Sequence, residues 1–136
     1  MAKEKTPEEL LEEFRAMPDI DVNRSDIEVK VLTTKRAEII SQLADFGYKP
    51  AGPFIFDYLQ RVRLTTEKTA AIAALGRLGY TEAIPYIERD VELSERWYNQ
   101  RYKNRNPKGL DLIYEKIVAG REALVKLQGA IDGNRK

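Results

Sequence analysis

The residues best equipped for chemistry sit in "ERWYNQRYKNRNPKG", residues 95–109. Five cations, Arg96, Arg101, Lys103, Arg105 and Lys108, stand against one acid, Glu95, and alternate with Trp97, Tyr98 and Tyr102. Cations of this kind hold phosphates while aromatic rings stack on bases, so the segment could meet nucleic acid. The same residue types anchor protein–protein interfaces. A third reading makes Trp97 and Tyr98 core and the cations a solvated helix face. The stretch "FIFDYL", residues 54–59, raises a related question. Ile55 and Leu59 belong to an expected core stripe, whereas Phe56 and Tyr58 lie off it. A helix apolar on more than one side is buried on more than one side. Phe56 and Tyr58 are therefore expected to meet another helix of the chain, an N- or C-terminal one first of all, or else a partner.

Other chemistry is narrowed by absence. The chain has no cysteine and no histidine. That removes disulfides, thiol catalysis, the usual zinc sites and histidine as a general base. Carboxylates could still transfer protons or hold a hard cation, but the 22 Asp and Glu residues are interspersed with 23 Lys and Arg. Solvated helix faces account for such a distribution. No convergent constellation appears, so the reading is of a non-enzyme with no catalytic, metal or cofactor residues.

At 136 residues, 43% apolar and 33% charged, the composition is that of one folded domain. The net charge of +1 gives no global field for a polyanion, and the first 30 residues hold five basic against nine acidic side chains. No apolar run approaches the ~20 residues that span a bilayer. The leucines of "MAKEKTPEELLEEF" are broken up by glutamates, unlike a signal peptide. A cytoplasmic protein with no membrane partner is expected.

The elements that must position these residues come from a repeat. "LTTKRAEIISQLADFGYKPAGPFIFDYL" (32–59) aligns without gaps on "LTTEKTAAIAALGRLGYTEAIPYIERDV" (64–91), with ten of 28 positions identical. A period of 32 marks a stacked helical unit. Each copy reads as two helices. Thr34 and Thr66 are the expected N-caps. Ala37, Ile40, Leu43 and Ala44 share one face in the first copy; Ala70, Leu75 and Leu78 flank Ile72 in the second. Gly47 and Gly79 end the first helix of each copy in a left-handed conformation, and Pro50, Pro53 and Pro85 mark the opening turn of the next. Leu43, Leu75, Ile40, Ile72, Ile55 and Ile87 are the expected core.

Those motifs carry a resemblance. "LTTEKTAAIAALGRLGYTEAIPYI" resembles a HEAT-like repeat of the kind found in phycobilin-lyase-type proteins, through Ala74, Leu75, Gly76, Leu78, Gly79, Glu82, Ala83, Ile84 and Pro85. In the first copy Gln42-Leu43-Ala44 and Ala51-Gly52-Pro53 stand in those places. The likeness covers roughly residues 32–93. It implies a stack of helical hairpins with binding surfaces and no particular activity. Family members that bind metal use histidine-rich motifs, which this chain lacks.

The flanks complete the reading. Thr6, Pro7, Glu8 and Glu9 open a helix at about 7–16 with Leu10, Leu11 and Phe14 on one face. "MPDIDVNR" is a linker. Ser25 and Glu28 form a capping box, and "IEVKVL", though it alternates like a strand, reads as a short helix toward Leu32. Ile84, Ile87, Val91 and Tyr98 carry the next helix to about Tyr102. Asn106-Pro107 begins a long helix whose Leu110, Ile113, Ile117, Gly120, Leu124, Leu127 and Ile131 recur at heptad spacing. That stripe covers the open end of the stack or, alternatively, forms a homodimeric coiled coil over 107–132. The expected architecture is all-α: one domain over 1–136, a short α-solenoid of two HEAT-like hairpins (25–93) between an N-terminal helix and linker (1–24), a basic aromatic helix end and loop (94–106) and a C-terminal helix (107–136). The expected function is an adaptor or accessory subunit that recognises a protein, the alternative being a nucleic-acid-associated protein that uses residues 96–108.

Overall fold

The structure is a computed structural model that describes residues 5–17, 26–62, 64–103 and 110–133. Among these it is all-helical, with six α-helices: α1 (Pro7–Ala16), α2 (Asp26–Asp45), α3 (Gly52–Arg61), α4 (Thr65–Leu78), α5 (Ile84–Lys103) and α6 (Leu110–Gly133). Ser25, the Asn106-Pro107 helix start, Arg105 and Lys108 lie outside the described residues.

α1 begins as its sequence dictates. The Thr6 hydroxyl accepts from the Glu9 amide at 3.2 Å, Pro7 occupies the first turn, and Glu8 and Glu9 face the positive end of the helix dipole. α2 corrects the expected division at Leu32. It runs unbroken from Asp26 to Asp45, with Thr34 inside it rather than capping it. Two threonines within a helix cost only tenths of a kilocalorie to about 0.7 kcal/mol each, too little to stop it without glycine or proline. Thr66 is not a cap either. α4 opens two residues earlier than a Thr66 cap would place it, after Leu64, with no side-chain cap, and the acidic Glu67 lies in its first turn.

The two inter-helix connections are conformational copies. Gly47 and Gly79 have φ of 64° and 71°. In each copy the glycine amide bonds back to residue 44 or 76, and the following tyrosine amide to Leu43 or Leu75 at 3.1 Å. This is the Schellman closure, which satisfies carbonyls that the helix end would leave bare. Each tyrosine carbonyl then accepts from the alanine amide three residues on, making single 3₁₀ turns at Lys49–Ala51 and Thr81–Ala83. So the prolines divide their work: Pro50 lies in the first 3₁₀ turn, while Pro53 and Pro85 are second residues of α3 and α5.

α1 packs on α2, α2 and α3 on α4, and α4 and α5 on α6. Ile40, Leu43, Ile55, Leu59, Ile72, Leu75, Ile87 and Leu127 are fully buried, including all six expected core residues. Ala37 and Ala70 are half-buried, and Ala71 turns inward instead. The heptad stripe of α6 lies within the chain, against α4 and α5. Ile117, Gly120 and Leu127 are buried, but Leu110, Ile113 and Leu124 are only half-buried, less than their spacing predicts. Small residues set the approach. A Cβ on Gly76 would stand 2.7 Å from the Ala123 Cα, and one on Gly120 would collide with the Val91 side chain.

Two glycines thus differ in what they forbid. Gly47→Ala should cost about 1–2 kcal/mol through left-handed backbone alone, because open space surrounds its Cβ position. Gly120→Ala should destabilise through collision, and adding Val91→Ala should recover part of the loss. A coupling of about 0.5–3 kcal/mol in a urea-denaturation double-mutant cycle checks this, with no comparable coupling between Gly47 and Val91.

Candidate protein-interaction surface

α5 and α6 share an end. The buried residues of α5 are Ile84, Ile87, Val91 and Ser94, and those of α6 begin at Lys116 and Ile117. Both helices nevertheless run on toward the connection between them. Over that reach their surface is aromatic. Tyr98 stacks on Tyr102, four residues along, with ring centroids 6.3 Å apart and planes at 14°. Tyr114 of α6 comes within 6.0 Å of Tyr98. On the adjacent strip of α5, Leu93, Trp97 and Arg101 follow at four-residue steps, and the Arg101 guanidinium lies 4.2 Å over the Trp97 ring. Leu93, Trp97, Tyr102, Leu112 and Tyr114 are all exposed, Tyr102 at 69% and Tyr114 at 55%.

Trp97 is therefore not core, and Tyr98 is half-buried. The cations are partly committed. Arg96 pairs with Glu92 one turn back, and Glu95, the acid of the segment, pairs with Arg121 of α6. Lys103 is exposed. The structure brings Trp97, Tyr98, Arg101 and Tyr102 together and adds Tyr114, whose place was readable from the pairing of the α5 end with the α6 start.

Phe56 and Tyr58 lie elsewhere. Phe56 is half-buried against Tyr80 and Tyr86, at 5.6 and 5.9 Å. Its neighbours belong to the second copy, not to a terminal helix. The reason is Gly52, whose missing side chain lets the Tyr80 ring press against α3 beside Phe56. Tyr58 is 3% exposed and meets Phe14 of α1 edge-on at 5.1 Å, the terminal-helix contact expected for it. Neither ring belongs to the α5–α6 surface.

A polar cluster went unread in the sequence. Arg36 of α2 and Glu67 of α4 are 3% and 1% exposed, 3.8 Å apart, and Thr33 donates to the other Glu67 oxygen at 3.1 Å. The signal was there: Arg36 precedes Ile40 and Leu43 at steps of four and three, and Glu67 precedes Ala71 and Leu75 at steps of four, so both charges stand in the apolar register. A second pair, Lys116 and Asp90 at 3.3 Å, bridges α6 and α5. Among the described residues no group of three acidic side chains could hold a metal ion, and no helix is long and apolar enough to cross a membrane.

No family model matches the chain, and no curated protein or solved structure is significantly similar to it.

Burial holds the Glu67 carboxyl above the ordinary range, outweighing the Thr33 hydrogen bond and the Arg36 charge, which both pull it down. The folded chain thus binds this proton more tightly than the unfolded one. The stability it contributes is full below the unfolded value of about 4.3 and is lost as pH rises through the raised value. Urea midpoints measured from pH 4 to 8 should show the native protein losing stability relative to Glu67→Gln, which stays neutral throughout. Glu13, held low chiefly by its bond to Lys5, acts in the opposite sense but equally in both proteins. A difference that stays flat across the range would mean that burial does not govern Glu67.

Proposed function

We propose that the chain is a non-enzymatic protein-interaction module, an adaptor or accessory subunit built as a short HEAT-like stack, and that it engages its partner through the α5–α6 end. The carrying observation is the run of exposed aromatic side chains, Trp97, Tyr102 and Tyr114, on helices whose buried stripes have already ended. Free-standing exposed apolar area of this kind marks association surfaces. Its composition, aromatic rings with an arginine laid over the tryptophan, is that of binding hot spots.

The packing order supports the stack. α2, α4 and α6 follow one another in contact, while α1, α3 and α5 each lean on the next even-numbered helix. In that pattern α1 takes the place of a second helix from a preceding unit, and α6 the place of a first helix from a following one. The repeat of 32 residues and the twin Schellman turns agree with it. The "ALGRLGYTEAIP" likeness to HEAT-like repeats points the same way.

Nucleic acid is the weaker reading. Arg96 is committed to Glu92, and the acids Asp111 and Glu115 flank Tyr114 on α6. Those groups dilute the field a phosphate backbone would feel.

The test is affinity capture from the native cell with and without nuclease. A partner should survive nuclease treatment and be lost with Trp97→Ala or Tyr102→Ala, each costing at least tenfold in affinity, while the far-ultraviolet spectrum stays helical. Salt-resistant, sub-micromolar binding of the isolated chain to an oligonucleotide would overturn the proposal.

A further inference from the structure

The even-numbered helices form a series that stops at α2. α6 sits against α4 and α5, and α4 against α2 and α3. α2 sits against α1 and α4, and no described helix takes the place on its far side. That place is a groove of about 530 Å³ between α1 and α2. Leu10 and Ile39 close its floor, and Phe46 stands on its rim, 51% exposed. Lys5 and Lys35 pair with Glu13 on the same rim, and Asp45 pairs with Arg77. Glu38 completes the rim, exposed and without an ion-pair partner among the described residues.

α6 ends the series at its other end. One side of it is buried against α4 and α5, and the opposite side faces solvent. On that side Val118 is half-buried and Val125 is 73% exposed, and a Cβ on Gly129 would meet nothing. Glu122 and Lys126 are exposed there, each without an ion-pair partner among the described residues. The two free strips match. Along α2, Val31, Lys35 and Glu38 follow at steps of four and three, all exposed. Along α6, Val118, Glu122 and Lys126 follow at steps of four. Such steps keep each trio on one side of its helix. Laid side by side in the same direction, valine meets valine, Lys35 meets Glu122 and Glu38 meets Lys126. Run antiparallel, the strips join only one of the two charge pairs, or else set lysine on lysine and glutamate on glutamate. Like charges brought together in this way disfavour that direction.

We propose that the solvent-facing strip of α6 in one molecule docks on the α1–α2 end of another, so that identical chains join head to tail and α6 of the first continues the even-numbered series of the second. The charges carry the recognition, and Phe46 closes over the docked helix from the rim of the groove. Each molecule offers a different face to each neighbour. Such a contact does not close at two, and molecules add at both ends. Neither strip uses Trp97 or Tyr102, so this association and the partner surface of the α5–α6 end stand or fall independently.

The experiment is sedimentation velocity of the full chain from about 10 μM to about 1 mM, the range in which weak contacts become populated. The weight-average mass should climb with concentration past that of two chains, and fall on addition of salt. Glu38→Lys and Lys126→Glu should each weaken association about fivefold or more, because each sets like charges where a pair had been. The chain carrying both substitutions restores opposite charges and should associate within about twofold of the native protein. Both side chains are exposed, so the helical spectrum and the melting temperature of the dilute protein should hold in all three variants. Trp97→Ala should leave the association unchanged. A protein that stays monomeric throughout overturns the proposal. So does a mass that levels off at two chains, a double variant no better than the single ones, or association lost with Trp97→Ala.

Discussion

The closeness of α6 to its two neighbours is the constraint on which the rest of the molecule depends. α6 touches α4 where Gly76 meets Ala123 and α5 where Gly120 meets Val91. At the first point a single added carbon would strike backbone and push the helices apart; at the second it would strike the Val91 side chain, which would have to shift. Because the gaps are so small, Ala123 and Leu127 reach the interior and join the core formed by α1 to α5. The Lys116–Asp90 pair then spans α6 and α5 as a secondary fastening. The exposed aromatic surface inherits its geometry from this seating. Tyr114 approaches Tyr98 only because α6 has been set against α5.

The other internal constraint is electrical. Arg36 and Glu67 face one another between α2 and α4, with Thr33 tying the carboxylate back to α2. Such a pair adds little net stability, since desolvation of two ions consumes most of their attraction. Its value is in what it forbids. Sliding α2 past α4 by one turn would bury two charges without counter-charges, a loss of about 3–5 kcal/mol. Apolar packing between similar helices lacks that discrimination, because Ile40 and Leu43 would find equivalent hollows one turn away.

Much of the fold was legible because it rests on local rules. Thr6 with Pro7, and Gly47 and Gly79, each announce a helix end through their own chemistry, and the structure places the ends there. Where the reading failed, a signal was mistaken for a rule. Thr34 and Thr66 are of capping type, but a threonine is tolerated at small cost within a helix whose neighbours need no stop. Phe56 does meet another helix, through Tyr86 of α5, but periodicity reports only that a face is buried and not by what; Gly52 and Tyr80, distant in sequence, decide which neighbour it is. The aromatic segment at 97–102 was recognisable by composition. Its exposure was not, since it follows from where α6 begins to be buried. Arg36 and Glu67 were passed over because charge was read as surface, although both keep the apolar register.

The two copies differ at one position in a way that reaches beyond packing. Gly76 of the second copy aligns with Ala44 of the first, and Ala44 is buried. The first copy therefore carries a methyl where α6 tolerates none. The difference gives α6 an address: of the two aligned helices, only the one that carries glycine lets a neighbouring backbone come so near, so the closing helix can seat on α4 and could not seat in the same way on the corresponding stretch of α2.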